Sequence, residues 1–499
     1  MLKRNIYNIL LFSLVVIFII VKIPYLSLPY YWDEAWVYGP AIRIMEAHKL
    51  SLLPDALPVD YSRGHPLLFH FMGALWMRVF GTSLIASHLF ALFISIALIV
   101  LVFVFCKNLF NNETGIIACL FLVLQPIFQA QSVLVLPEVM VSLFSLMTIY
   151  FFIKEKWWWY MLSATIVLYT KETGIVAVGA TGLWFLIEVL FMKRKYISLK
   201  YFILRSVILI IPLLLIGIFL IIQKKMNGWY FFPAHINYIT NDDSGFFDKL
   251  QGYAAYLFIY WGRNVLTSAL IVSLFLNFFN RKHLKNPANK PILILSIYIV
   301  LFLVASSFNF FSHRYAMSMM APFMIIVAYF LFENFTNRTA KSQVLNSIYQ
   351  IPKKILGVWG LRLLTWGFLY AFIIAVCAVQ LFIHIPKSNS SDNNLGYADY
   401  VRTHQQLVNY CVGNHFQKKK IFTSFLMARN LTNPYCGYLS EDNKFNDVSS
   451  GFDAKTELCI FYNIENADDY KRVMVIAKLH LLKRFELRKA WAEVWEVEK

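Results

Sequence analysis

A chain of 499 residues that is 59% hydrophobic and only 15% charged lies outside the soluble range, where about a quarter of residues carry charge, and reads as an integral membrane protein. Its formal net charge of +18 does not point to nucleic acid, because Lys and Arg fall in short clusters between apolar runs, as the positive-inside rule requires. The six cysteines show no zinc spacing such as C-x2-C.

Residues 6–23 form an apolar run behind Lys3 and Arg4. No small-residue cleavage site follows, so the run is expected to stay as a first membrane helix. A first external loop, residues 24–83, carries Tyr30 to Arg43, YYWDEAWVYGPAIR. It sets Asp33 and Glu34 side by side near a membrane face, where an unpaired carboxylate is costly and therefore a functional candidate by default. Tyr30, Tyr31, Trp32, Trp36 and Tyr38 suit a short helix lying flat at headgroup level. The plainer role for the acidic pair is to cap that helix, with Asp33 as N-cap. The loop continues with RGHPLLFHFMGALWMRVFG at 63–81, which contains Arg63 and His65-Pro66.

Further apolar runs of spanning length occur at 84–106, 115–132, 136–153, 157–170, 174–192, 202–223, 251–279, 291–307, 315–333 and 364–384, which makes about eleven transmembrane helices. With the N-terminus in the cytoplasm, alternation places Lys107, Lys154, Lys156, Lys193, Arg194, Lys195, Lys200, Arg281, Lys282, Lys285, Lys290, Arg338, Lys341, Lys353, Lys354 and Arg362 on the cytoplasmic side. The opposite face receives Asp33, Glu34, Arg63, His65, Glu138, Lys171, Glu172, Tyr238, Asp242, Asp243, His313 and Arg314. Polar chemistry collects on one side, which predicts an external active site.

At Pro386 the composition turns polar, KSNSSDNNLG, a linker signal. The chain therefore divides into a transmembrane domain, 1–385, and a soluble external domain, 386–499. In the latter LGYADYVRTHQQLVNYCV reads as an amphipathic helix, KKIFTSF and ELCIFYNI as short buried strands, ADDYKRVMVIAKL as a helix and LLKRFELRKAWAEVWEVE as a strand pair. The result is a small α/β domain. Cys411 and Cys436 are either a disulfide or two buried thiols.

The acidic stretch at 30–43 and the basic, Pro-containing stretch at 63–81 together resemble the GT-C type glycosyltransferases that use polyprenyl-phosphate sugars, above all bacterial relatives of the protein O-mannosyltransferases and of the lipid A aminoarabinose transferases. The resemblance implies that Asp33 is the base that takes the acceptor proton and that transfer inverts the anomeric carbon; Glu34 would orient it or pair. A phosphate leaves as a stable anion, so such a site needs one base and cations for the phosphate. Arg314 in FNFFSHRYAMSMMAP resembles the family's Arg-Tyr pair and can hold two phosphate oxygens; the alternative is an Arg snorkelling at a helix end. His313 beside it is a ligand or a packing residue. Lys171 and Glu172 in YTKETG resemble a short basic turn that meets phosphate or acceptor, or are a solvated pair. Glu138 in LVLPEVM stands where relatives carry Arg-Pro-Asp, with Leu136 in place of the Arg, which keeps the carboxylate but removes the cation that would pair with it. Arg63 and His65 depart from the basic residue and two prolines of the lipid A branch, which counts against an aminoarabinose donor.

The loop at 224–249, with Trp229, Tyr230, Phe231, Phe232, His235 and Tyr238, either covers a donor lipid or is an interfacial belt. Asp33, Glu34 and Glu138 offer oxygen atoms to a divalent ion, but a phosphate held by Arg and Lys does not require one, and no cofactor is expected. The expected protein is an inverting glycosyltransferase of the bacterial inner membrane, moving a monosaccharide from a polyprenyl-phosphate donor to a glycan, lipid or protein acceptor on the outer face. The rivals are a lipid-linked sugar transporter or flippase, which would put charges at mid-membrane in two matched halves, and an interaction scaffold working through its C-terminal domain.

Overall fold

The computed structural model describes residues 2–192, 198–240, 245–278, 289–348, 392–463 and 467–498, with 375 and 378. Apart from 375 and 378 the run 364–384 with Cys377 lies outside these residues, as do the cations expected at 193–195, 281–285 and 353–362, Asp242, Asp243, the start of the linker and the side chains of Tyr238, Arg338 and Lys341. The protein is a multi-pass helical membrane protein with a small C-terminal sheet domain. Among the described residues six helices are long and apolar enough to cross a membrane, or seven if one bent pair counts as a span. The chain forms two compact units.

The first unit comprises Met1–Phe18, Ile94–Phe128 and Glu138–Phe382. The apolar runs up to residue 333 are mostly helical, but the run 115–132, expected as one span, breaks at Leu124 and Gln125 into Asn112–Val123 and the short helix Pro126–Gln131. In Leu199–Asn227 the residues Ile203, Val207, Ile210, Leu214, Ile218 and Ile221 are all exposed. Their spacing of three and four is one helical stripe, and an apolar stripe turned outward is a lipid-facing surface. The centre of the unit is Met317–Ile348, whose first turns bury Met317, Met319, Met320, Ala321, Met324 and Ile325 against Asn112–Val123, Glu138–Ile153, Arg263–Phe278 and Asn289–Ser307.

The run 251–279, expected as one span, is instead two helices, Phe246–Phe258 and Arg263–Phe275, bent by 84°. Trp261 and Gly262 take left-handed backbone angles, φ 58 and 78, and no right-handed helix continues through such a pair. The break coincides with Gly262, Arg263 and Asn264, a short polar interruption that a window of spanning length averages away.

The second unit comprises Ile19–Phe93, Gln129–Pro137 and Ile383–Lys499. Its sheet consists of β1 Lys420–Phe422, β2 Asp447–Ser449, β3 Leu458–Tyr462, β4 Leu479–Leu487 and β5 Ala490–Val497, in the order β2-β1-β3-β5-β4. β1 runs parallel to β2 and β3, while β5 is antiparallel to β3 and β4. Every residue of β3 is buried, which is why LCIFY reads as a continuous apolar run rather than an alternation. The helix Tyr397–Gly413 packs on β4 and β5, and Phe422, Cys459, Phe461 and Val473 form a core. The two-strand end and both central strands match the expectation from sequence. β2 and the helix Phe425–Thr432 were not expected, because three residues with two polar ones carry no strand pattern.

Candidate active site

In the second unit the acidic stretch folds as a π-helical turn, Glu34–Tyr38, running into the helix Gly39–Ala47. Asp33 is not an N-cap: its backbone is helical and its side chain makes no capping hydrogen bond. Its Oδ1 accepts instead from the indole Nε1 of Trp36 at 2.9 Å, and the residue is half-buried. Glu34 points the other way and is fully buried. Its Oε2 accepts from the Tyr31 amide at 3.1 Å, while its Oε1 accepts from the Val135 amide at 2.7 Å and lies 3.0 Å from Nε2 of His88. The adjacent carboxylates therefore divide, one held inside by the backbone and one at the surface of the turn.

The turn is tight. Trp32 takes a left-handed angle, φ 47, which is strained for a bulky residue. Gly39 leaves no room for a side chain, since a Cβ there would stand 2.2 Å from the Tyr30 ring and 2.8 Å from the Glu34 carbonyl oxygen. Arg63 ends the short helix Val59–Ser62 in a left-handed conformation and lays its guanidinium 4.4 Å from the Trp36 ring centroid. His65, half-buried, follows in a turn closed by its amide on the Ser62 carbonyl at 2.9 Å. Asp33 and Arg63 thus meet at Trp36, while Glu34 faces away from it.

The C-terminal sheet domain supports the same turn. Phe425 meets Trp36 edge-on at 4.9 Å, Tyr397 stacks near Tyr31 at 5.6 Å, and the Tyr30 amide donates to the Cys436 carbonyl at 3.0 Å. The Cys436 thiol is free and buried and donates to the Ala35 carbonyl at 3.1 Å. Cys411 is also free, so the two form no disulfide. Burial pushes both thiols up to about 12, and both stay protonated and unreactive.

In the first unit three separate segments meet at one carboxylate. Glu138 opens the helix Glu138–Ile153 and is 1% exposed. Lys171 reaches its Oε1 at 2.9 Å, and the Arg314 Nε lies 3.4 Å from the same oxygen. Lys171 stands 4.4 Å over the Tyr315 ring, and Arg314 5.5 Å from it. Leu136 in place of an Arg was expected to leave Glu138 without a cation; the fold supplies two, from sequence 33 and 176 residues away. Lys171 and Arg314 are both buried, so neither the solvated pair nor the snorkelling alternative describes them. Glu172 is half-buried in the turn Glu172–Gly174. His313 packs its ring 4.6 Å from Tyr256 and 4.9 Å from Phe311.

In the aromatic loop Phe232 lies between Trp229 and His235, at 5.6 and 5.3 Å, while Tyr230 and Phe231 are exposed. Among the described residues no three His, Cys, Asp or Glu side chains come together as a metal set.

Two buried ionisable residues carry no motif in the sequence. His88 lies inside the run 84–106 and Arg263 inside the run 251–279. Arg263 is fully buried, donating to the Tyr256 carbonyl through Nε at 2.7 Å and to Gln125 Oε1 at 3.2 Å. An ionisable residue within an apolar run was the available signal.

Residues 64–226 match the family described as dolichyl-phosphate-mannose-protein mannosyltransferase. No curated protein sequence matches the chain. Among solved structures it is similar to ArnT from Cupriavidus metallidurans in the apo state, with TM-score 0.57 and 12% identity over 99% of this chain and 98% of that one. The same ArnT bound to undecaprenyl phosphate matches with TM-score 0.53 and 13% identity over 97% of each chain. The archaeal oligosaccharyltransferase AglB from Archaeoglobus fulgidus, in complex with an inhibitory peptide and a dolichol-phosphate, matches with TM-score 0.51 and 9% identity over 98% of this chain and 74% of that one.

Proposed function

We propose, from the GT-C glycosyltransferase fold that these likenesses establish, that the chain is an inverting membrane glycosyltransferase using a polyprenyl-phosphate-linked monosaccharide, working on the outer face of the bacterial inner membrane. The observation that carries this reading is the buried meeting of Lys171 and Arg314 at Glu138. Two cations brought from distant segments into a water-poor setting serve an anion that must be gripped and released, and Arg adds a fork matched to phosphate oxygens. The undecaprenyl phosphate of the ArnT complex and the lipid-phosphate family matched at 64–226 support a donor of that class. The fold favours this reading over a transporter.

In the proposed reaction an acceptor oxygen attacks the anomeric carbon, the bond from that carbon to the phosphate oxygen breaks, and polyprenyl phosphate departs with the electron pair. Asp33 takes the acceptor proton, its carboxylate oriented by the Trp36 indole. Arg314 and Lys171 hold the phosphate, and Glu138 fixes the direction of both cations. Attack opposite the leaving group inverts the centre. Arg63, His65, Glu172 and His313 belong to the surrounding binding surfaces.

The test is a donor-consumption assay on membranes containing the chain, offered several radiolabelled polyprenyl-phosphate monosaccharides. One donor is expected to be converted to polyprenyl phosphate with its label moved to a glycan, lipid or protein fraction. Consumption of none of them, with intact-cell controls showing the chain inserted, would overturn the reading.

A further inference from the structure

We infer that Glu34 and His88 form a buried carboxylate–imidazolium pair, and that His88 is a positioning residue for Asp33. The inference starts from hydrogen-bond chemistry. His88 is 2% exposed, on the helix Leu84–Leu109. Its Nδ1 lies 2.8 Å from the Leu26 carbonyl oxygen. A carbonyl only accepts, so Nδ1 carries a proton. Its Nε2 lies 3.0 Å from Glu34 Oε1, and one proton lies between these two atoms, on the nitrogen or on the oxygen.

The backbone decides which. Glu34 receives the Tyr31 amide on Oε2 and the Val135 amide on Oε1, and amides donated to a carboxyl favour its ionised form. The proton therefore belongs to Nε2, and His88 is an imidazolium with both nitrogens donating. Neither charge is solvated, since Glu34 is fully buried. Each is the other's counter-charge. Of the titratable neighbours, Tyr30 sets its ring edge-on to His88 at 5.6 Å and donates its hydroxyl to Ser87 at 2.6 Å.

The pair acts on Asp33 through the chain. Glu34 ties three places together: its own turn at Tyr31, the segment at Val135 and, through His88, the Leu26 carbonyl. That fixes the start of the π-helical turn, holds Trp32 in its left-handed conformation and sends the neighbouring Asp33 to the opposite side, where Trp36 meets it. A buried pair of this kind is weak evidence for net stability; what it gives here is direction. The positioning role rests on the proposed role of Asp33, whereas the charge state of His88 does not.

The experiment has two arms. In the first, the full chain is labelled with 15N-histidine in nanodiscs, and the His88 signals are assigned by their loss in His88→Gln. Both His88 ring nitrogens are expected at protonated shifts. A deprotonated shift for either one overturns the ion pair, whether or not the chain transfers sugar.

In the second arm His88→Gln, which keeps a single donor, is assayed with the donor identified above. Turnover is expected to fall about tenfold to a hundredfold, the cost of a small misplacement of a reacting group, with donor affinity unchanged. Adding His88→Gln to a Glu34→Gln background is expected to cost less than it does alone, because the counter-charge is already gone. Unchanged turnover, or a loss matched by weaker donor binding, overturns the positioning role. Should His88→Gln fail to fold, the histidine signals are assigned by their loss in His88→Asn, and turnover is read in that variant.

Discussion

At the scale of single residues, the proposed base and the proposed phosphate grip separate by what they are asked to do. Asp33→Asn keeps the shape and the acceptor capacity toward Trp36 but removes the proposed base, and loss of a positioned base costs about 10² to 10⁴ in rate. Turnover is therefore expected to collapse while donor binding holds, in a titration of fluorescent polyprenyl-phosphate sugar against the purified variant. Arg314→Lys keeps the charge and loses the fork, so it is expected to weaken donor affinity and to leave a larger share of turnover at saturating donor. Wild-type binding and rate in Arg314→Lys would make Lys171 the leading phosphate ligand. Glu138 was readable as a carboxylate at the start of an apolar run. Its two cations were not, because Lys171 and Arg314 approach it from other helices and no local pattern records a meeting across the fold.

At the scale of elements, the acidic turn depends on a missing side chain. Gly39 follows the π-helical turn, and a Cβ there would run into the Tyr30 ring and the Glu34 carbonyl. The ring can shift but the carbonyl, part of the turn itself, cannot. Gly39→Ala is expected to lower the thermal midpoint by several degrees and to cut turnover together with it, as overpacking by one methyl costs about 1 to 3 kcal/mol. A variant with the wild-type midpoint and rate would show the turn to be more accommodating than this spacing implies. Much of the helix–strand pattern of the C-terminal domain was legible because β3 is wholly buried and β4 and β5 pair across a short turn. The 84° break near Gly262 was not, since Gly262, Arg263 and Asn264 are too short an interruption to divide a run of spanning length.

At the scale of the whole molecule, acid and sidedness give two further expectations. His404 is buried against Tyr462, and burial pushes it down to about 3. Its folded value lies below the unfolded one of about 6.5, so its contribution is fully present above pH 6.5 and is lost as pH falls toward 3, by roughly 1.4 kcal/mol per pH unit. Hydrogen-exchange protection of β3 in the full chain, corrected for intrinsic rates, is expected to drop between pH 7 and 5 and to drop less in His404→Phe. Equal losses in both proteins would remove His404 as the cause. For sidedness, a reporter fused after Lys499 is expected to be active outside the cytoplasm and a cysteine placed near Asp392 to be labelled from outside. Labelling only after permeabilisation would invert the topology and with it the external site.

Composition and periodicity by themselves determined that the chain is a polytopic membrane protein with a small sheet domain, because burial in lipid and burial in a strand core each select residue types locally. The acidic pair, the Lys-Glu turn and the Arg-Tyr stretch were visible for the same reason, as charges where charge is costly. Only the tertiary structure decided which of the paired carboxylates is held inside, that His88 stands against it, and that Glu138 collects Lys171 and Arg314. Those are relations between segments far apart in the chain, and they are fixed by how the helices pack rather than by what any one stretch prefers.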